Sequence, residues 1–175
     1  MLITTSRRPS HLARILCREL VRVIPRSRYV PRGTKTVEDV ASVARELGHD
    51  RAMIIDSVSG KPKEIRFLEV VQDWRWADAV VELGDVKHHR GSGRRSKIED
   101  VRMHADGPMA LEFAEWCGKL LGIGRSDELP RSGGVVLITS DGGLNVQFKV
   151  MPGSETIGPV LKITAFGSLF GGEVK

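Results

Sequence analysis

The sequence predicts a mixed α/β protein made of two similar halves. Three observations carry this expectation. Strand, helix, strand, helix and strand patterns succeed one another before Val70. Two hairpin signals, Ser59-Gly60 and Asp141-Gly142-Gly143, each lie between apolar runs. No repeat is visible in the letters, but each half pairs helices with a hairpin, so a duplicated α/β unit is predicted.

Taken in order, Leu2 to Thr4 forms a short strand. Pro9 and Ser10 suit the first turn of the next helix, where an amide has no helical partner anyway. That helix carries an apolar stripe of Leu12, Leu16, Leu20 and Val23, and it ends near Ile24 because Pro25 cannot continue it. Arg28-Tyr29-Val30 is strand-like. Thr36-Val37-Glu38-Asp39 reads as a capping box opening a second helix. Its apolar face is Val37, Val40, Ala41, Ala44 and Leu47, and Gly48 is placed to end it. Ala52 to Ile55 is a buried strand, and Ile65, Phe67 and Leu68 lie in the strand returning from Ser59-Gly60.

The second half repeats this grammar. Ala79 to Leu83 is a strand, and Gly84 to Lys97 is a polar loop rich in glycine and arginine. Val101 to His104 is a strand, and Pro108 opens a third helix bearing Leu111, Ala114, Cys117, Leu120 and Leu121, with Gly122 at its end. Val135 to Thr139 and Leu144 to Val150 flank the second hairpin turn, and Pro159 to Phe166 is the last strand. The expected organisation is one domain over residues 1–175, with halves at 1–83 and 98–175 and a basic loop at 84–97 between them.

The first helix also carries an arginine every fourth residue. Arg14, Arg18 and Arg22 share an arc of roughly 80° at about 100° per residue, and His11 falls within it. Each planar guanidinium can meet phosphate oxygens with two parallel bonds. Charge is distributed to match. The net charge is +5, yet residues 1–35 hold nine Arg or Lys and one acid, Glu19. A second run from Lys87 to Lys97 adds Arg90, Arg94 and Arg95 with no acid. Everything outside these two runs sums to −8. An acidic body with two basic patches points to a polyanion such as nucleic acid. A solvated helix face without a ligand is the bland alternative.

Other chemistry finds little support. Cys17 and Cys117 sit in helical apolar patterns and read as packing residues. No Cys or His pair has zinc-ligand spacing, and adjacent His88 and His89 would point to opposite faces of a strand. Gly91-Ser92-Gly93-Arg94-Arg95-Ser96 lacks the lysine and hydroxyl ending of a phosphate-binding loop. No nucleophile elbow or triad order is present. The expectation is therefore no enzyme, no cofactor, no metal and no small-molecule substrate. No apolar stretch approaches the ~20 residues that span a bilayer, and no leader is visible, so no membrane role and a cytoplasmic location are expected. Trp74-Arg75-Trp76 could stack bases, but one ring on the core and the other capping the sheet edge is the favoured reading.

Leu2-Ile3-Thr4-Thr5-Ser6-Arg7-Arg8-Pro9-Ser10 resembles the opening signature of the Brix-domain proteins of ribosome biogenesis. Arg18-Glu19-Leu20, Pro25 and Arg32-Gly33 are similar to that family's run through its first helix and second strand. Asp50 and Gly60-Lys61-Pro62 resemble its first hairpin. Ile138-Thr139-Ser140-Asp141 and Ile157-Gly158-Pro159, with Leu161 and Ile163, resemble its closing strands. The segment from Trp74 to Met103 matches least well, and the short length resembles the compact archaeal members.

The resemblance implies two related α/β halves, similar to the anticodon-binding domain of class II aminoacyl-tRNA synthetases. It also implies a non-catalytic factor that binds precursor ribosomal RNA, with or without a small guide RNA, during subunit assembly and rRNA processing. Other assembly proteins would be its partners. On this reading Thr4, Thr5 and Ser6 present hydroxyls and amides at a helix N-terminus, a favourable anion site. Arg7, Arg8, Arg14, Arg18 and Arg22 extend it as a phosphate track, and Arg32 and Lys35 flank it. Lys87, Arg90, Arg94, Arg95 and Lys97 contribute secondarily. Two rival readings remain: a protein-interaction adaptor in a ribonucleoprotein assembly, and a tRNA- or synthetase-associated binding domain.

Overall fold

The computed structural model describes residues 1–89 and 98–168. The chain divides into two compact units. The first comprises Met1–Val21, Ser27–Leu83 and the segment beginning at Ala165; the second comprises Arg22–Arg26 and Gly84–Thr164. Both are mixed α/β, as the alternating patterns predict.

The first unit holds all or most of β1 (Leu2–Thr5), α1 (His11–Val23), β2 (Arg28–Tyr29), α2 (Val37–Glu46), β3 (Arg51–Val58), β4 (Lys61–Val70) and β5 (Trp74–Lys87). The strands run in the order β2-β1-β3-β4-β5. β1 is parallel to both β2 and β3, and β4 is antiparallel to β3 and β5. An interior parallel strand is covered on both faces, and all four residues of β1 are buried. One of those faces packs under α2. Leu2, Ala52, Ile54, Leu68 and Val70 meet Val40, Ala41 and Ala44 there. Each large aliphatic side chain so buried contributes roughly 1.5–3 kcal/mol.

Local chemistry sets the helix ends. Ser10 precedes α1 instead of lying in its first turn, and its hydroxyl accepts the Ala13 N–H at 3.1 Å. This is the work of an N-cap. Burial on α1 centres on Ala13, Leu16, Cys17, Leu20 and Val23, with Leu12 only half-buried. The predicted box opens α2: Thr36 Oγ1 accepts from Asp39 N–H at 3.1 Å, and Thr36 N–H donates to Asp39 Oδ2 at 2.8 Å. Ser59 and Gly60 turn the β3–β4 hairpin with φ of 50° and 82°. Two successive positive φ values match the twist of the flanking strands.

The second unit contains β6 (Val101–Asp106), α3 (Pro108–Leu121), β7 (Gly133–Thr139), β8 (Leu144–Met151) and β9 (Glu155–Gly167). Its strands run β9-β8-β7-β6. β6 and β7 are parallel, and β7, β8 and β9 are antiparallel in turn. Pro108 stands in the first turn of α3, and Gly122 ends it in the left-handed conformation. Ala110, Phe113, Ala114 and Cys117 form its buried face, whereas Leu111 is exposed.

Two expectations need correction. β5 begins at Trp74 and runs through Lys87, so residues 84–87 of the predicted loop are strand. Alternation along β5 is broken by Asp78 and Gly84, which hid its length. The tryptophans are not divided between core and edge. Two residues apart on one strand, Trp74 and Trp76 share a face, and both pack partly buried against the cluster under α2.

Candidate nucleic-acid interface

α1 displays the predicted ridge. His11, Arg14, Arg18 and Arg22 are all exposed. Arg18 leans over Tyr29, with its guanidinium carbon 5.9 Å from the ring centroid. Glu19, the one acid of the N-terminal run, is buried. Arg7 and Arg8 are exposed where the chain leaves β1, and Lys35 is half-buried.

Among the described residues, Arg7, Arg8, Arg14, Arg18, Arg22 and Lys35 pair with no carboxylate. Other arginines of the chain behave differently. Arg66 pairs with Asp56 and Glu64, Arg75 with Glu69, Arg102 with Asp100 and Arg125 with Asp127. Among the described residues these four cations are neutralised locally, whereas the six on α1, at the end of β1 and beside β2 are not, and Arg28 and Arg131 also lack a carboxylate partner. Exposed guanidinium groups without internal partners keep their donors for an outside anion.

The predicted anion site at the start of α1 is not formed as expected. Thr4 and Thr5 are each 1% exposed. The Thr4 hydroxyl donates to Val30 O at 2.7 Å, and the Ser6 N–H donates to Ile55 O at 3.0 Å. β1 lies between two strands, so its amides and the Thr4 hydroxyl are spent within the fold, and Thr5 is buried. The run Leu2 to Thr5, without polar alternation in its burial, is the signal of a strand covered on both faces. Arg32 is also displaced from the track: it is 5% exposed, and its Nε donates to Lys35 O at 2.7 Å. Lys87 is exposed at the end of β5, while Arg90, Arg94, Arg95 and Lys97 lie outside the described residues.

Titration follows the same geometry. Burial raises the Tyr29 phenol above its ordinary value, with the nearby Cys17 adding to this and Arg18 and Arg14 opposing it. Burial lowers the Arg32 guanidinium, and the charge of Arg7 lowers it further while Asp39 acts against both. Burial pushes both thiols up to about 12, and the Cys17 thiol donates to Thr4 O at 3.5 Å. No group of three or more His, Cys, Asp or Glu gathers as metal ligands among the described residues. No helix among them is long and apolar enough to cross a membrane.

The fold is one seen in archaeal ribosome biogenesis proteins. A crystal structure of a probable ribosomal biogenesis protein from Aeropyrum pernix aligns over 99% of this chain and 98% of its own, with a TM-score of 0.78 and 27% identity. Mil, an archaeal Imp4-like protein, shares the fold at a TM-score of 0.72 and 22% identity, covering 96% of this chain and 99% of its own. Sequence places the chain more closely: it is a homologue of the archaeal Brix domain-containing ribosomal biogenesis proteins. The probable protein of that description from Pyrococcus horikoshii is 41% identical over 119 residues, which are 67% of this chain and 51% of the relative. That from Pyrococcus furiosus is 39% identical over 119 residues, 67% of this chain and 52% of the relative. The chain thus spans about half the length of the curated relatives it matches. No family model matches it.

Proposed function

We propose that this chain is a non-catalytic RNA-binding factor of ribosome assembly, acting in the cytoplasm on precursor ribosomal RNA. The observation that carries the reading is the contrast in arginine pairing. Among the described residues, five arginines clustered on α1 and the end of β1, Arg7, Arg8, Arg14, Arg18 and Arg22, meet no carboxylate, while Arg66, Arg75, Arg102 and Arg125 are paired. Its homologues are named as ribosomal biogenesis proteins, which supports the same context. Phosphate contacts from such a ridge would position the RNA backbone and read its shape, with few base contacts. Other assembly proteins, with or without a guide RNA, complete the particle on this reading, and the track supports rRNA processing by holding the precursor.

Each unit also starts with a strand, a helix and a parallel strand and ends in antiparallel strands, the first unit with a further helix and parallel strand, α2 and β3, in between. We read them as copies of one ancestral unit of the anticodon-binding type. Superposing β1-α1-β3-β4 on β6-α3-β7-β8 tests this, and helices falling on opposite faces of the superposed sheets would refute it.

The functional reading is tested by binding of the full chain to precursor rRNA fragments, tRNA and polyglutamate as salt is raised. With about four phosphate contacts, RNA affinity should fall roughly a hundredfold between about 50 and about 200 mM salt. Tight polyglutamate binding with no RNA binding would make the ridge a docking face for an acidic protein. A strong preference for tRNA would favour the synthetase-associated alternative.

A further inference from the structure

β1 stands between β2 and β3, parallel to both. The chain leaves β1 through α1 to reach β2 on one side. It leaves β2 through α2 to reach β3 on the other side. The two connections diverge at the carboxyl end of β1, the position where open α/β sheets hold ligands. Two segments meet this end: Ser6 to Arg8 after β1, and Pro31 to Lys35 after β2. Their register is continuous with the sheet, since Ile3 faces Tyr29 and the Val30 N–H donates to Ile3 O at 3.0 Å.

Arg32 is the unusual residue there. As a residue it is 5% exposed, and an arginine so little exposed is ordinarily paired. Arg32 has no carboxylate partner among the described residues. Its Nε is held by Lys35 O at 2.7 Å, and the Lys35 N–H returns to Arg32 O at 3.1 Å, which pins the turn. Its two terminal nitrogens meet no protein acceptor among the described residues, and neither is sealed from solvent. Asp39 is the acid whose charge favours Arg32, but its Oδ2 already accepts the Thr36 N–H of the capping box at 2.8 Å. Arg7 adds like charge to the same place.

A recessed fork with two donors unmet and surplus positive charge is complementary to an oxyanion. We propose that Arg32 seats one backbone phosphate of bound RNA in a notch at the carboxyl ends of β1 and β2, with Arg7 and Lys35 at its rim. This rests on the RNA-binding reading and adds a contact of a different kind. The ridge on α1 supplies exposed, salt-screened charges, whereas Arg32 supplies a fixed geometry.

The difference can be measured. Arg32→Lys keeps the charge and loses the fork, so RNA affinity should fall about tenfold or more while the dependence on salt stays as in the wild type. Wild-type affinity in a natively stable Arg32→Lys chain overturns the proposal. Should that variant melt early, nitrogen-15 spectra of the wild-type arginine side chains decide the matter. A mixed-sequence RNA oligonucleotide should shift the terminal resonances of Arg32 at lower concentration than inorganic phosphate or polyglutamate. Resonances that move with polyglutamate and not with RNA overturn the seat, as does no shift in a chain that binds RNA. A wild-type chain that binds no RNA at all overturns the reading beneath it instead.

Discussion

The guanidinium of Arg18 lies over the ring of Tyr29, its carbon 5.9 Å from the centroid. This joins the ridge of α1 to β2, at the edge of the first unit's strand order. It also gives Arg18 a defined position without consuming its donors, because a ring face attracts the cation without accepting a strong hydrogen bond.

Tyr29 reports this contact directly. It is the only tyrosine of the chain, so phenolate absorbance follows a single group. Burial raises its pKa and the charge of Arg18 opposes that rise. Arg18→Gln should therefore move the titration to still higher pH. An unchanged or lowered midpoint would show that Arg18 does not rest on the ring.

The ridge itself is tested by changing Arg14, Arg18 and Arg22 together to Gln, which has comparable helix propensity. The helix should persist, and affinity should fall for every RNA sequence tried. Each lost contact removes ~0.7–0.9 from the slope of log affinity against log salt, or roughly two to three units for all three. Native stability with an unchanged slope would assign the ridge to solvent or to a protein.

Both cysteines should be inert and should weaken the fold at high pH. Burial takes each thiol from an ordinary 9.0 to about 12. A folded-state pKa above the unfolded value gives stability that is complete below pH 9 and is lost as pH rises toward 12. Native protein should resist iodoacetamide at neutral pH. Replacing Cys17 and Cys117 with Ala should flatten the alkaline fall in denaturant midpoint. An equally steep fall in that variant would place the sensitivity in other groups.

The capping box makes a quantitative claim on α2. Thr36→Ala removes the acceptor for Asp39 N–H and should cost about 1 kcal/mol, read as a lower denaturant midpoint. Thr36→Ser should restore most of it. Equal stability of all three proteins would show that the helix start is held by packing alone.

Gly158 is a packing position. A Cβ there would stand 2.9 Å from Phe148 Cβ and 2.9 Å from Val23 Cγ1. Gly158→Ala should cost roughly 1–3 kcal/mol through overpacking. Thermal melting checks it, and a melting temperature equal to wild type would mean that β9 yields freely.

By itself the sequence determined what depends on near neighbours along the chain. Arg14, Arg18 and Arg22 share a face because the helix repeats every 3.6 residues. The Thr36–Asp39 box, the Pro25 stop and the Ser59-Gly60 turn follow from local hydrogen bonds and allowed φ values. The Leu2 to Ser10 signature was equally legible, because it is a contiguous run of residues. The burial of Thr4, Thr5 and Arg32 was not legible, because it depends on which strands stand beside β1. With β2 and β3 on either side of β1, the threonines become interior residues, and Arg32 is folded inward with one nitrogen held by Lys35. Periodicity shows which residues share a face; only the order of strands decides whether that face meets water or another layer of protein.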